Sequence, residues 1–322
     1  MLTALGGFGR RWAAQTVPWT NVYGLGRTFL ALGTLTTLLF TDTAHFIVPA
    51  AGVDRVPLCL RATKMGLFCI APSSHLEVAR WVCVAMLLVV ASGWRPCITG
   101  LLHWWVAFSF QNNAVVTDGG DQVTLVLATL LLPVALTDRR KWHWDPAPSD
   151  ALPLRTSEEL RRLVALVALT LVRVQVAAIY FHAAIAKFAV EQWGDGTALW
   201  YWAHEPLVGA APWLRALLDP FLRNGITLTL ITWGVLMLEY LLSAALVMQK
   251  KYWRWLLVAG LVFHGGIIVL HGLISFASAM FGALVLYLRP VELPFHLAPW
   301  RLRQRSVLGP RQAQDRPLLG AV

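Results

Sequence analysis

Apolar residues run through this chain in long blocks, broken by short polar segments that carry most of the Lys and Arg. A helix crossing a bilayer needs about 20 predominantly apolar residues. Eight blocks meet that demand, at 22–40, 76–94, 97–116, 121–137, 160–189, 226–248, 253–271 and 273–289. They predict an all-α, polytopic transmembrane helix bundle of about eight spans. Between the fifth and sixth blocks, GDGTALWYWAHEPLVGAAPWLRALLDPFLRNG is rich in Trp, Gly and Pro, and reads as interfacial or re-entrant helices capping one face. The organisation expected is an N-terminal cytoplasmic segment at 1–20, a transmembrane domain at 21–290 and a basic cytoplasmic tail at 291–322. The linker DPAPSDALP divides the spans into two sets of four.

Composition agrees with a membrane protein: 57% of the 322 residues are hydrophobic and 14% charged, with mean hydropathy +0.59. Tryptophans cluster near the ends of the apolar blocks (Trp12, Trp19, Trp94, Trp142, Trp144, Trp253, Trp255), where aromatic belts form. The net charge of +10 sits in short loops instead of on one face, which argues for membrane topology and against nucleic acid. Roughly 18 Lys and Arg flank one side of the spans and about 6 the other, placing both termini in the cytoplasm of a plasma-membrane protein. The first block is too long for a cleavable leader and no A-x-A site follows it, so it reads as a retained span. Cys59 and Cys69 fall in the first outer loop, where an oxidising compartment permits a disulfide; Cys83 and Cys97 read as packing residues. No C-x-x-C pair, zinc spacing, H-E-x-x-H or phosphate-binding loop is present, so neither a metal site nor nucleotide hydrolysis is expected.

Candidate chemistry comes from polar groups inside the apolar blocks, because a charge in hydrocarbon costs several kcal/mol unless paired or wetted. YFHAAIAKFAVEQWGDGT, from Tyr180 to Thr197, sets Lys187 near the end of a long apolar helix. On the assigned directions, Arg173 falls near mid-bilayer, His182 and Lys187 toward the outer end, His264 centrally and His271 outside. Asn112, Asn113, Asp118 and Asp121 join that outward set. Arg173, Tyr180 and Lys187 share one helical stripe, drifting only about 20° per heptad, while His182 lies on another face. Lys187 and His182 are the candidate catalytic groups; Asn112, Asn113, Asp118, Asp121, Tyr180, His264 and His271 are the candidate substrate-binding groups. Each also has a structural reading. Arg173 pairs with Glu239 as an internal ion pair, the two histidines are satisfied core groups, Asp118 and Asp121 form a turn and helix cap, and Lys187 snorkels outward.

With these residues in place, the chain resembles the horizontally transferred transmembrane domain family and, within it, the sporulation-delaying protein SdpB group. The matching features are DGGDQ from Asp118, the following LLLPVALTDRR, the Tyr180 to Leu199 block, and FHGGIIVLHGLISFASAMFG from Phe263. The resemblance implies a part in maturing or exporting a secreted peptide toxin, with an SdpA-like small protein, a precursor peptide and membrane lipids as partners. The same superfamily contains the vitamin K-dependent gamma-glutamyl carboxylase, whose catalytic lysine context is similar to Tyr180–Phe188. That likeness implies Lys187 as a base acting on a reduced quinone. One departure is plain: Ala114 follows Asn112 and Asn113 where the carboxylase has a histidine, and the carboxylase's large lumenal domain has no counterpart. A non-enzymatic membrane scaffold is the third reading.

Overall fold

A computed structural model of the chain describes residues 2–49, 56–57, 59–148 and 154–295. The basic stretch 296–322, Arg55 and much of the linker before the fifth block lie outside the described residues. Among the described residues fourteen α-helices follow one another: α1 (Leu2–Gln15), α2 (Asn21–Phe40), α3 (Thr43–Phe46), α4 (Leu67–Ile70), α5 (Leu76–Ser92), α6 (Pro96–Asn113) and α7 (Gly119–Thr137). The second half holds α8 (Thr156–Lys187), α9 (Glu191–Gly194), α10 (Ala198–His204), α11 (Pro212–Leu222), α12 (Gly225–Ala244), α13 (Trp253–His271) and α14 (Ile274–Leu288). No strand occurs among the described residues; a lone bridge joins Trp94 to Trp142.

Among the described residues six helices are long and apolar enough to cross a membrane: α2, α5, α7, α8, α12 and α13, the second and last extended by a preceding turn. This is an integral membrane protein. The two remaining blocks are helices of a different kind. α6 has 18 residues and ends in Gln111, Asn112 and Asn113. α14 has only 15 residues, about 22 Å at 1.5 Å per residue, against a hydrocarbon thickness of about 30 Å. Its residues from Ala277 to Leu288 are almost all buried within the protein. Length and composition thus establish six candidate spans among the described residues, with α14 a shorter apolar helix enclosed by the others.

α14 packs most extensively on α2, so the first and last apolar blocks interlock instead of closing two separate sets of four. Small residues make this possible, as in many membrane helix pairs. A Cβ on Gly282 would stand 2.7 Å from the Gly26 carbonyl oxygen, and one on Gly33 3.0 Å from that of Ser275. Around the seam lie two hydrophobic clusters: one gathers residues of α2, α7, α8, α13 and α14, the other residues of α2, α5 and α6. The Gln15 end of the N-terminal segment is tied in as well, since Arg162 of α8 donates to the Ala13 carbonyl at 3.1 Å.

The LTDRR motif builds the loop after α7. Arg140 grips the Asp138 carboxylate through Nε and Nη2 at 3.0 and 2.8 Å, and donates to the carbonyls of His143 and Asp145. His143 is thereby seated in the notch between Gly24 and Gly93, where a Cβ on Gly93 would come within 2.2 Å of its ring. Burial, assisted by the Arg27 and Arg140 charges, pushes this imidazole from 6.5 down to about 2.

Two expectations follow. Gly282→Val should cost about 1–3 kcal/mol by forcing α2 and α14 apart, whereas Gly234→Ala, which meets nothing within 4 Å, should not; thermal unfolding in detergent compares them. His143 is neutral when folded, so below its unfolded value of 6.5 the unfolded chain takes up a proton that the native state refuses. Stability should therefore fall as pH drops, by about 2 kcal/mol at pH 5 from this group. A His143→Phe variant should show a flatter pH profile of the thermal midpoint.

Candidate functional site

The polar centre of the second half is an ion pair between α8 and α12. Lys187 Nζ donates to both carboxylate oxygens of Glu239, at 2.7 and 2.8 Å. The Glu239 side chain is 6% exposed and that of Lys187 22%. The chain folds around the amine for local reasons. α8 stops just after Lys187, and the last carbonyls of a helix favour a cation. The short α9 then doubles back and sets the Trp193 ring 5.2 Å from Nζ. Asp195 holds the following turn by accepting from the Thr197 amide at 2.9 Å and its hydroxyl at 2.7 Å. Gly196 adopts φ +84°, and a Cβ there would lie 2.7 Å from Thr229 of α12. The GDGT motif thus presses the turn onto the helix that carries Glu239.

The internal ion pair expected between Arg173 and Glu239 is not formed. Glu239 is taken by Lys187, and Arg173 instead lies 5.0 Å over the Trp253 ring. The depth of Lys187 changes accordingly. Glu239 stands about 21 Å along α12 from Gly225 and about 8 Å from Ala244, so the amine it holds lies well within the length of that span. α12 rises past the end of α8, and α9 to α11 climb alongside it. Lys187 is paired instead of snorkelling.

A second buried pair joins α8 to α13: the Tyr180 hydroxyl and His264 Nε2 are 2.9 Å apart. Phe263 and Phe276 meet the imidazole edge-on, with ring centroids 4.9 and 5.5 Å away, and Nδ1 has no hydrogen-bond partner. The Lys187 charge acts on His264 and the Glu239 charge on Tyr180. Beside the ion pair an apolar cleft of about 380 Å³ opens sideways, lined by Phe188, Trp193, Trp233, Leu236, Met237 and Tyr240. Phe188, Trp233, Met237 and Tyr240 are also exposed on the outer surface of the helices. Sequence reading missed the cleft, whose walls come from segments far apart in the chain. The spacing of Trp233, Met237 and Tyr240 along one face of α12, the helix of Glu239, is the signal that could have revealed it.

The other candidates are placed elsewhere. Asp118 and Asp121 cap α7 reciprocally, each accepting from the other's amide at 3.0 and 3.2 Å, and Asp118 also accepts from Ser275 of α14 at 2.7 Å. Between them Gly120 lets the backbone of Phe276 approach: a Cβ would lie 2.7 Å from its Cα. Asn113 donates to Cys69 Sγ at 3.1 Å, securing the loop in which Cys59 and Cys69 are disulfide-bonded. Asn112 donates to the carbonyl of Phe108 one turn back, at 2.8 Å. His271 meets the Val208 carbonyl at 2.7 Å, holding the segment between α10 and α11. His182 is exposed on the face of α8 away from the ion pair. The single outward-facing cluster therefore does not form: Lys187, Tyr180 and His264 come together with Glu239, and the rest serve joints between helices. No group of three or more His, Cys, Asp or Glu suited to a metal ion occurs among the described residues.

Over 277 residues the chain is 34% identical to sporulation-delaying protein SdpB of Bacillus subtilis (strain 168), covering 85% of this chain and 83% of SdpB. The chain belongs to the SdpB family. It is also 40% identical over 284 residues to the uncharacterized protein YitO of the same organism, covering 88% of this chain and 89% of YitO. Neither a family model nor a solved structure matches it. The SdpB-family match spans both the α8 to α9 turn and the α12 carboxylate by its extent, so the ion pair lies in a framework shared along most of the chain.

Removing one partner of a buried pair strands the other charge, at about 3 kcal/mol. Glu239→Gln and Lys187→Met should each lower the thermal midpoint, and the double variant Lys187→Met/Glu239→Leu should recover most of the loss. A double variant no more stable than the singles would mean that the pair does not act as a unit.

Proposed function

We propose that this SdpB-family protein takes part in the maturation or export of a secreted peptide toxin, with the Lys187–Glu239 pair and the adjoining cleft as its working site. The observation that carries this reading is a half-buried amine bonded to a buried carboxylate beside a sideways-opening aromatic cleft, in a chain related to SdpB over most of its length. An apolar peptide segment suits the cleft walls, and a polar backbone or terminal carboxylate reaching past them would compete with Glu239 for the Lys187 ammonium. The Lys and Arg distribution supports a plasma-membrane setting with both termini cytoplasmic. An SdpA-like small protein and the precursor peptide are the partners this role requires.

A second reading, a quinone-dependent enzyme using Lys187 as base, is favoured by one observation: the cleft is apolar, aromatic and open to the side from which a membrane quinone arrives. An amine bonded as donor to a carboxylate cannot accept a proton. Transfer of one proton from Nζ to Glu239 would leave a neutral amine and a neutral acid with the net charge unchanged, which supplies a base without adding charge to the membrane. Carboxylation finds less support, because Ala114 ends α6 near the Asn113 joint, and Asn113 there braces the disulfide loop.

In a toxin-producing host, Lys187→Ala and Glu239→Gln are expected to abolish secreted toxin activity, a loss larger than the fall in protein abundance that immunoblot records. Full activity from either variant would remove the site. The stability-restored double variant separates the roles: a folded protein that still yields active toxin would mean that the pair serves architecture alone. Oxygen uptake by the purified protein with added hydroquinone tests the second reading, and no uptake ends it.

A further inference from the structure

We propose that the cavity where α12 turns into α13, beside the C-terminal end of α14, is a headgroup site for an anionic phospholipid. Its volume is about 710 Å³, and Lys250, Lys251, Arg254 and Arg289 line it with a single carboxylate, that of Glu292. None of the four cations is in a carboxylate ion pair among the described residues. Each rests instead near an aromatic ring: Lys250 on Trp253 at 5.9 Å, Lys251 on Tyr252 at 4.9 Å, Arg254 on Trp255 at 4.7 Å and Arg289 on Phe295 at 4.8 Å. Such contacts orient a guanidinium or ammonium without neutralising it.

The placement makes the charge imbalance sharper. Three of the four cations stand at the start of α13, where aligned peptide dipoles already leave partial positive charge, and its first turn contains no acid. Arg173, on the same Trp253 ring at 5.0 Å, adds a further positive charge nearby. The stretch 296–322 cannot balance them, since its only acid is Asp315 among several arginines. Like charges held this way repel one another, and a bound anion relieves the repulsion while filling the open donors.

The ligand class follows from the rest of the cavity. Lys250 opens the apolar span Lys250–His271, so the cavity lies at the end of a membrane-crossing helix, at headgroup level. Leu257 and Leu288 form an apolar floor beneath the cations. A phosphodiester offers acceptor oxygens to the arginine forks, and the first methylenes of the acyl chains cover the leucines. A soluble phosphate would use only the charged half.

The full-length protein, purified and placed in phosphatidylcholine nanodiscs with and without a minority of phosphatidylglycerol, tests this by native mass spectrometry of retained lipid and by thermal midpoint. Phosphatidylglycerol should be retained in preference and should raise the midpoint. Lys251→Gln/Arg254→Gln should weaken retention about tenfold or more, at about 1 kcal/mol per surface charge, with an unchanged midpoint in pure phosphatidylcholine. Both residues are exposed, and Lys251→Arg/Arg254→Lys should retain the lipid. Undiminished retention by the Gln variant overturns the proposal, as does equal weakening by Arg139→Gln on the loop after α7. Inorganic phosphate raising the midpoint as far as phosphatidylglycerol would overturn the lipid assignment.

Discussion

An ammonium and a carboxylate held against each other inside an apolar bundle constrain the whole second half of this protein. Neither charge is tolerable there alone, so α8 and α12 must align at Lys187 and Glu239. That register leaves most of α12 extending beyond the end of α8. The intervening chain has to climb that distance, which α9, α10 and α11 do, with α10 and α11 packing on α12 and the segment between them bonded to His271 of α13. The cleft beside the pair is a consequence of the same geometry. It is the space left where the turn at Trp193 meets the side of α12.

The framework that holds this register is made by close approach instead of by bulk. Gly26, Gly33 and Gly282 bring α2 and α14 together, and Gly120 brings the start of α7 onto Phe276. Phe276 in turn packs on His264, so the Asp118–Asp121 cap is connected to the Tyr180–His264 pair through one ring. Motifs that look like ligand sites in a linear chain are here joints: DGGD caps and clamps, LTDRR ties its own loop, and GDGT presses a turn onto a neighbouring helix. Their polar atoms are occupied by backbone and by neighbouring side chains, which is why they gather no site of their own.

Two electrically distinct regions result. One is neutral in sum, a compensated pair next to an aromatic, laterally open cleft. The other, past the C-terminal end of α12 where the chain turns into α13, is a cluster of four cations facing a single carboxylate at a helix start. The first suits a molecule arriving from within the bilayer, and the second suits the charged surface of the bilayer itself. Membership of the SdpB family sets both in a protein whose working parts are helices and the joints between them.

Apolar block length was enough to read the helical class, the membrane environment and the short helices between the fifth and sixth blocks, because burial of backbone polar groups in lipid leaves few alternatives to helix. Lys187 was legible for a related reason: a charge in an apolar run must have a purpose or a partner. Its partner was not legible. Glu239 was visible as an acid, but assigning it to Arg173 required the relative height of two helices, which no local pattern contains. Likewise hydropathy shows that α14 is apolar, but only its packing on α2 shows that most of its surface meets other helices. Residue type and spacing along one helix are properties of the chain; which helices touch, and at what height, is decided by glycine contacts and charge pairing across elements distant in sequence.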